Sequence, residues 1–232
     1  SDERVLIKDE TFSTLDTPTP LSTSLLETGI LFKWEAVAGA EEYTIIKKAD
    51  NTGVWEEVAQ VSSDYTSYLD RDVESGVKYT YSVTCGNGYG DSGYIAAGVT
   101  QLFLESPKIT VIANTANAVR VTWSSVGGAE SYAVYRMDSN ALNKWVLLDK
   151  TASERNYYVD ESVASNNTYK YSIVAENGTD SSTIGANSVS HLFLAAPEFL
   201  EVKNTVDGIA LNWSFVSGAT QYELYRRTDI TK

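Results

Sequence analysis

The sequence predicts an all-β chain of tandem antiparallel β-sandwich modules, each about 90 residues long. Three observations carry that prediction. A segment with a tryptophan and a tyrosine nine positions apart occurs three times, as "WEAVAGAEEYTIIK" from Trp34, "WSSVGGAESYAVYR" from Trp123 and "WSFVSGATQYELYR" from Trp213. Apolar and polar residues alternate with a period of two around these anchors, as half-buried strands require. No stretch sustains a helical period, and turn signals divide each repeat into about seven short strand-like segments.

The tryptophans stand 89 and 90 residues apart, as do Tyr43, Tyr132 and Tyr222. Pro18, Pro107 and Pro197 each precede a tryptophan by 16 residues, and Tyr79 and Tyr169 each precede the next of these prolines by 28. A period of this size is a whole small domain rather than the ~20–50-residue unit of a solenoid. The organisation expected is a tail of a preceding unit over residues 1–17, full repeats over 18–106 and 107–196, and a partial third repeat over 197–232 holding its first three strands. "TFSTLDTP" (Thr11 to Pro18) aligns with "TQLFLESP" (Thr100 to Pro107), so the N-terminal segment is expected to be the last strand of another unit, and the chain to be cut from a longer array.

Each element follows from its residues. Ile30, Phe32 and Trp34 fall on one face of a strand with Lys33 opposite. Val119, Val121 and Trp123 repeat this, as do Ile209, Leu211 and Trp213, with Arg120, Thr122 and Asn212 facing outward. After a small-residue "GA" turn, Tyr43 and Ile45, Tyr132 and Val134, and Tyr222 and Leu224 open a second strand of the same kind. "ADNTG" and "MDSNALN" are turns leading into strands that carry Trp55 and Trp145, and the one-residue length difference between repeats falls there, where loops absorb insertions. "SYLD" and "YYVD" follow. In "GVKYTYSVTC" and "NTYKYSIVA", Tyr79, Tyr81, Val83 and Cys85, and likewise Tyr169, Tyr171, Ile173 and Ala175, alternate toward the core. "QLFLESP" and "HLFLAAP" end the repeats with no Gly/Ser linker, an arrangement that limits hinge motion.

The tryptophan, the tyrosine that follows it, and Tyr79 and Tyr169, each four residues before Val83 or Ile173 and six before a small residue, resemble the fibronectin type III pattern. The wording "V.GA..Y.VYR" and "SY.D..V..G..Y.Y.V" is most similar to repeats of secreted and cell-surface bacterial proteins. The resemblance implies that Trp34, Trp123 and Trp213 fill the core between two sheets beside Tyr43, Tyr132 and Tyr222. It also implies that Tyr79 and Tyr169 make tyrosine corners. Nine residues would then carry the chain from one sheet, across the small-residue corner, to the other.

Composition bounds the partners. In 232 residues, 18 Lys and Arg face 31 Asp and Glu, and the net charge of −13 repels phosphate backbones and anionic lipid headgroups. Nucleic acid is thereby disfavoured. No apolar run approaches the ~20 residues of a membrane-spanning helix, and "SDERVLIKDE" lacks the features of a signal peptide, so a soluble chain is expected. One cysteine and one histidine exclude a disulfide framework and a zinc site of the Cys/His kind, and no cofactor is expected.

Several motifs carry the letters of a chemical site. "GYGDSG" (Gly88 to Gly93) spells a dinucleotide-binding loop but joins two strands with no helix after it, so a hairpin is favoured. "DRDVES" offers Asp70, Asp72 and Glu74 like the start of a calcium loop, yet the glycine comes one place late at Gly76 and the second repeat keeps only Asp160; a solvated turn is favoured. His191, at a strand end, lacks the setting of a Ser/His/Asp constellation. Pairs such as Glu41/Glu42 and Glu56/Glu57 are best read as solvated faces, and Cys85 as a buried inert thiol. Tyr65, Tyr89, Tyr94 and Tyr157 have no counterpart in the other repeat. Tyr89 and Tyr94 flank the hairpin loop that often carries recognition in the resembled family. With Tyr135, they are the candidate contacts for a carbohydrate or protein ligand.

The function expected is non-catalytic: structural or spacer modules of a larger secreted or surface-attached bacterial protein. The alternative is a carbohydrate- or protein-recognition module, ancillary to a glycoside hydrolase or adhesin. Self-association is expected through the incomplete third repeat, whose Ile209, Leu211, Trp213 and Tyr222 lack a covering sheet.

Overall fold

The computed structural model describes residues 15–138 and 143–227. The chain divides into two units, residues 15–105 with 178–183, and residues 106–177 with 184–227. The described residues contain no helix, and thus none long and apolar enough to cross a membrane.

In the first unit, β1 (Pro20–Leu26), β2 (Gly29–Trp34), β3 (Glu42–Ala49), β4 (Trp55–Ser62), β5 (Ser67–Asp70), β6 (Lys78–Asn87), β7 (Gly90–Asp91) and β8 (Val99–Leu102) follow in order. They pair into two antiparallel sheets, β1-β2-β5 and β4-β3-β6, with β7 and β8 both pairing with β6. The alternation read in the sequence sets which side chains enter the space between them. Ile30, Phe32 and Trp34 come from β2, Tyr43 and Ile45 from β3, and Tyr79, Tyr81, Val83 and Cys85 from β6, all buried in one cluster.

The second unit repeats the plan with β9 (Ile109–Asn114), β10 (Val119–Trp123), β11 (Ser131–Asp138), β12 (Val146–Ala152), β13 (Tyr157–Asp160), β14 (Asn167–Asn177), β15 (Asp180–Ser181, grouped with the first unit) and β16 (Val189–Phe193). One sheet runs β13-β10-β9; the other runs β12-β11-β14, with β16 also on β14. Val119, Val121, Trp123, Tyr132, Val134, Tyr169, Tyr171 and Ile173 are buried between them. After it come β17 (Phe199–Thr205) and β18 (Gly208–Trp213), a two-stranded antiparallel hairpin. β1, β9 and β17 each begin two residues after one of the repeated prolines, at the strand edge where proline's missing N–H costs nothing.

Several expectations need correction. Trp213 and Tyr222 do not sit in a core: they are 36% and 38% exposed, because among the described residues no second sheet faces β17 and β18. Trp145 lies one residue before β12 rather than on the strand. The turn expected in "MDSNALN" falls mostly on residues 139–142, outside the described residues; so do residues 1–14, and 15–18 form no strand.

Candidate functional site

The recurring Trp–Tyr segment is a corner built from one turn and one hydrogen bond. Gly39, Gly128 and Gly218 adopt φ of 81°, 80° and 83°, the left-handed value that a type II turn asks of its third residue and that glycine takes without steric cost. The turn closes through N–H donation from Ala40 to the Val37 carbonyl, from Ala129 to Val126 and from Ala219 to Val216. The tyrosine hydroxyl then accepts the valine N–H across the corner: Val37 to Tyr43 at 2.7 Å, Val126 to Tyr132 at 2.9 Å and Val216 to Tyr222 at 2.8 Å. Each tyrosine ring meets its tryptophan, with centroids 5.5, 5.6 and 5.7 Å apart. The spacing of nine thus satisfies an otherwise orphaned backbone donor while it locks two rings together.

A second tyrosine bond closes the far end of each sandwich. The Glu74 N–H donates to the Tyr79 hydroxyl at 2.9 Å, and the Ala164 N–H to Tyr169 at 2.9 Å, each five residues upstream. This is the geometry of a tyrosine corner.

"DRDVES" holds a buried charge, contrary to the solvated turn expected there. Asp70 is 1% exposed, accepts hydrogen bonds from Lys47 Nζ at 3.0 Å and the Tyr81 hydroxyl at 2.8 Å, and also takes the Asp72 N–H. Lys47 donates in addition to the Asp72 carbonyl. In the second unit Asp160 is fully buried and accepts from Arg136 Nη1 at 2.7 Å, the Tyr171 hydroxyl at 2.8 Å, and the N–H and hydroxyl of Ser162. Burial alone would raise the Asp160 carboxyl; the hydrogen bonds from Ser162, Arg136 and Tyr171 outweigh it and hold the group below the usual aspartate value. Burial, then the neighbouring aspartate, pushes the Tyr81 and Tyr171 hydroxyls far up, so both remain protonated donors. The detectable signal was the recurrence itself: Asp70 and Asp160, Tyr81 and Tyr171, and a cation at 47 and 136 keep the repeat spacing. Both oxygens of each carboxylate are engaged from within the same unit, so the arrangement staples β5 to β3 and β6, and β13 to β11 and β14.

The candidate contact residues are not gathered into one site. Tyr89 forms the tip of the β6–β7 hairpin and is exposed. Tyr94 is also exposed and packs edge-on against Trp55 at 5.3 Å, whose ring carries the Lys48 ammonium at 5.1 Å. Tyr135 is half-buried rather than outwardly open, since β11 is flanked on both sides by β12 and β14. "GYGDSG" is the β6–β7 hairpin, closed by the Gly86–Asp91 and Asn87–Gly90 pairs. His191 lies within β16, its Nε2 2.8 Å from the Asn114 side-chain oxygen, and burial lowers its pKa; this partner is an amide, where a triad needs a carboxylate. Cys85 is buried, its thiol donating to the Asp16 carbonyl at 3.4 Å. No cluster of three or more His, Cys, Asp or Glu able to hold a metal occurs among the described residues.

No family model matches the chain, and no curated protein matches it. Solved structures do, and their likeness is to fibronectin type III modules. A two-domain fibronectin type III segment of chicken tenascin is 19% identical, covering 77% of this chain and 100% of that one, with a TM-score of 0.42. The FN1–FN3 domains of chicken CNTN1 are 13% identical over 77% of this chain and 65% of that one, with a TM-score of 0.37. The twitchin kinase region of C. elegans is 22% identical over 39% of this chain and 17% of that one, with a TM-score of 0.35. The tandem antiparallel sandwiches themselves are established by the strand pairing described above.

Proposed function

We propose that the chain is a run of non-catalytic structural modules in a larger secreted or surface-attached bacterial protein, spacing or presenting another domain. The observation that carries this reading is the duplication of buried polar chemistry. Asp70, Lys47 and Tyr81 recur as Asp160, Arg136 and Tyr171, and in both units the groups best suited to acid–base work are spent on closing the fold. A sandwich pinned at its corner and at its buried carboxylate resists local opening, which suits a spacer. The net charge of −13 favours solubility at high local density. Exchanging residues 18–196 in the full-length protein for two unrelated sandwich modules of equal length should preserve its attachment or activity, whereas deleting them should not. Loss of function on exchange, with the protein folded and exported, overturns the spacer role; a protein confined to the cytoplasm overturns the location.

A second reading, carbohydrate or protein recognition, is favoured by the surface aromatics. Tyr94 on Trp55 beside Lys48, with Tyr89 at the hairpin tip, is the kind of exposed ring set that stacks on sugars or anchors an interface. A glycan array probed with the chain and with its Tyr89→Ala and Tyr94→Ala variants tests it. Binding lost in either variant supports recognition, and no binding removes carbohydrate from consideration.

A further inference from the structure

Two arginines of the second unit converge on one tyrosine and meet no carboxylate there. The Arg120 guanidinium carbon lies 4.3 Å from the centre of the Tyr157 ring and that of Arg155 5.0 Å, so the two charges stand within about 9 Å of each other. All three residues are exposed. Neither arginine makes an ion pair or a side-chain hydrogen bond among the described residues, whereas Lys47, Arg136 and Lys150 each hold a carboxylate. The register places the three on the solvent side of the β13-β10-β9 sheet. Val111, Thr122 and Tyr157 form one cross-strand row there, and Ala113, Arg120 and Val159 the next; neither row contains a carboxylate. The chain's negative charge lies elsewhere: residues 18–106 hold 13 acidic and 5 basic residues, residues 107–196 hold 8 and 7, so the repulsion of anions comes mainly from the first repeat.

The fold does not require this set. The first repeat builds the same sheet with Leu31, Tyr65 and Ser67 at the positions of Arg120, Arg155 and Tyr157. Tyr65 and Ser67 are exposed although a complete repeat follows theirs, so the openness of the face does not come from the incomplete third repeat. Stacking on a ring takes up the flat side of a guanidinium and leaves its edge N–H groups free to donate, already oriented. We propose that Arg120, Tyr157 and Arg155 bind an acidic protein segment that lies extended over this face and carries two carboxylates two residues apart. In an extended chain residues i and i+2 point to the same side about 6.6 Å apart, a separation that two guanidiniums within about 9 Å of each other can meet together. Tyr157 orients the two cations and so lowers the cost of fixing them on binding. A sugar is the poorer ligand, because guanidiniums already cover the ring on which it would stack. The site involves neither Tyr89 nor Tyr94 and stands apart from the recognition reading built on them.

The test uses the 232-residue chain and a rhodamine-labelled, C-terminally amidated peptide, Gly-Glu-Val-Glu-Val-Gly, followed by fluorescence anisotropy. The titration is run at about 50 mM salt, where screening leaves surface charges their reach. Expected is saturable binding below about 1 mM, weakened about tenfold by Arg120→Leu or by Arg155→Tyr, the scale of a charge-assisted hydrogen bond. Both substitutions install the residue that the first repeat carries at that position. No binding up to about 1 mM overturns the proposal. So does indifference to either substitution, or equal binding of Gly-Glu-Glu-Val-Val-Gly, whose two carboxylates point to opposite sides. Equal or tighter binding of a galacturonate tetramer overturns it as well, because the site is then one for acidic sugars.

Discussion

The same fourteen-residue corner appears in the second sandwich and in the C-terminal hairpin, and the two copies differ in almost nothing local. Trp123 and Tyr132 lie 5.6 Å apart, Trp213 and Tyr222 5.7 Å; the Val126 N–H bond to tyrosine is 2.9 Å long and that of Val216 2.8 Å. The turn glycines match within a few degrees. Burial separates them, at 2% exposure for Trp123 and 36% for Trp213. The corner is therefore a local device that forms from its own residues, whereas the hydrophobic stabilisation of its tryptophan comes from a sheet contributed by strands far along the chain.

That comparison can be broken most forcefully at the tryptophans. Trp123→Ala should destabilise by about 3–5 kcal/mol in urea melts, since the two sheets cannot close over a ring-sized cavity. Trp213→Ala should cost well under ~1 kcal/mol. Equal losses would show that the hairpin tryptophan is covered in solution. Trp145→Ala, half-buried beside Gly185 ahead of an edge strand, should fall between the two.

The buried carboxylate comes next. Asp160→Asn should cost about 2 kcal/mol or more, less than a fully enclosed ion pair because the Arg136 side chain is 18% exposed. Its pH dependence has a definite sign. The folded pKa of Asp160 lies below its ordinary value of 3.8, so its contribution is fully present above pH 3.8 and is lost as pH falls through the lower folded value. The Asp160→Asn difference in stability should therefore shrink in acid; a difference that grows below pH 3.8 would contradict the assignment.

The smallest effects sharpen the comparison furthest. Tyr169→Phe should cost about 1 kcal/mol, leaving the Ala164 N–H without its acceptor in a part-buried site, and Tyr132→Phe should behave alike at Val126. Tyr222→Phe removes the same bond at Val216, itself 6% exposed and part-buried like Val126, and should also cost about 1 kcal/mol. A neutral Tyr222→Phe beside a costly Tyr132→Phe would mean that the bond needs the covering sheet as well as its own corner.

What the sequence determined by itself was everything local in origin. Period-two alternation placed Ile30, Phe32 and Trp34 on one face and the small "GA" dipeptides marked the turns, because each depends on residues within a few positions of one another, while the repeat of about 90 residues marked out the modules. The tyrosine corner at Tyr79 and Tyr169 was legible through the resembled pattern. Tertiary structure alone decided the rest. "DRDVES" reads as a hydrated acidic turn until β3 brings Lys47 and β6 brings Tyr81 to Asp70 from 23 residues before it and 11 after it. Tyr135 reads as outward and open until β12 and β14 close around it. A side chain's burial, and hence the worth of its charge or ring, is a property of what distant strands bring to it, and alternation along one strand carries no record of that.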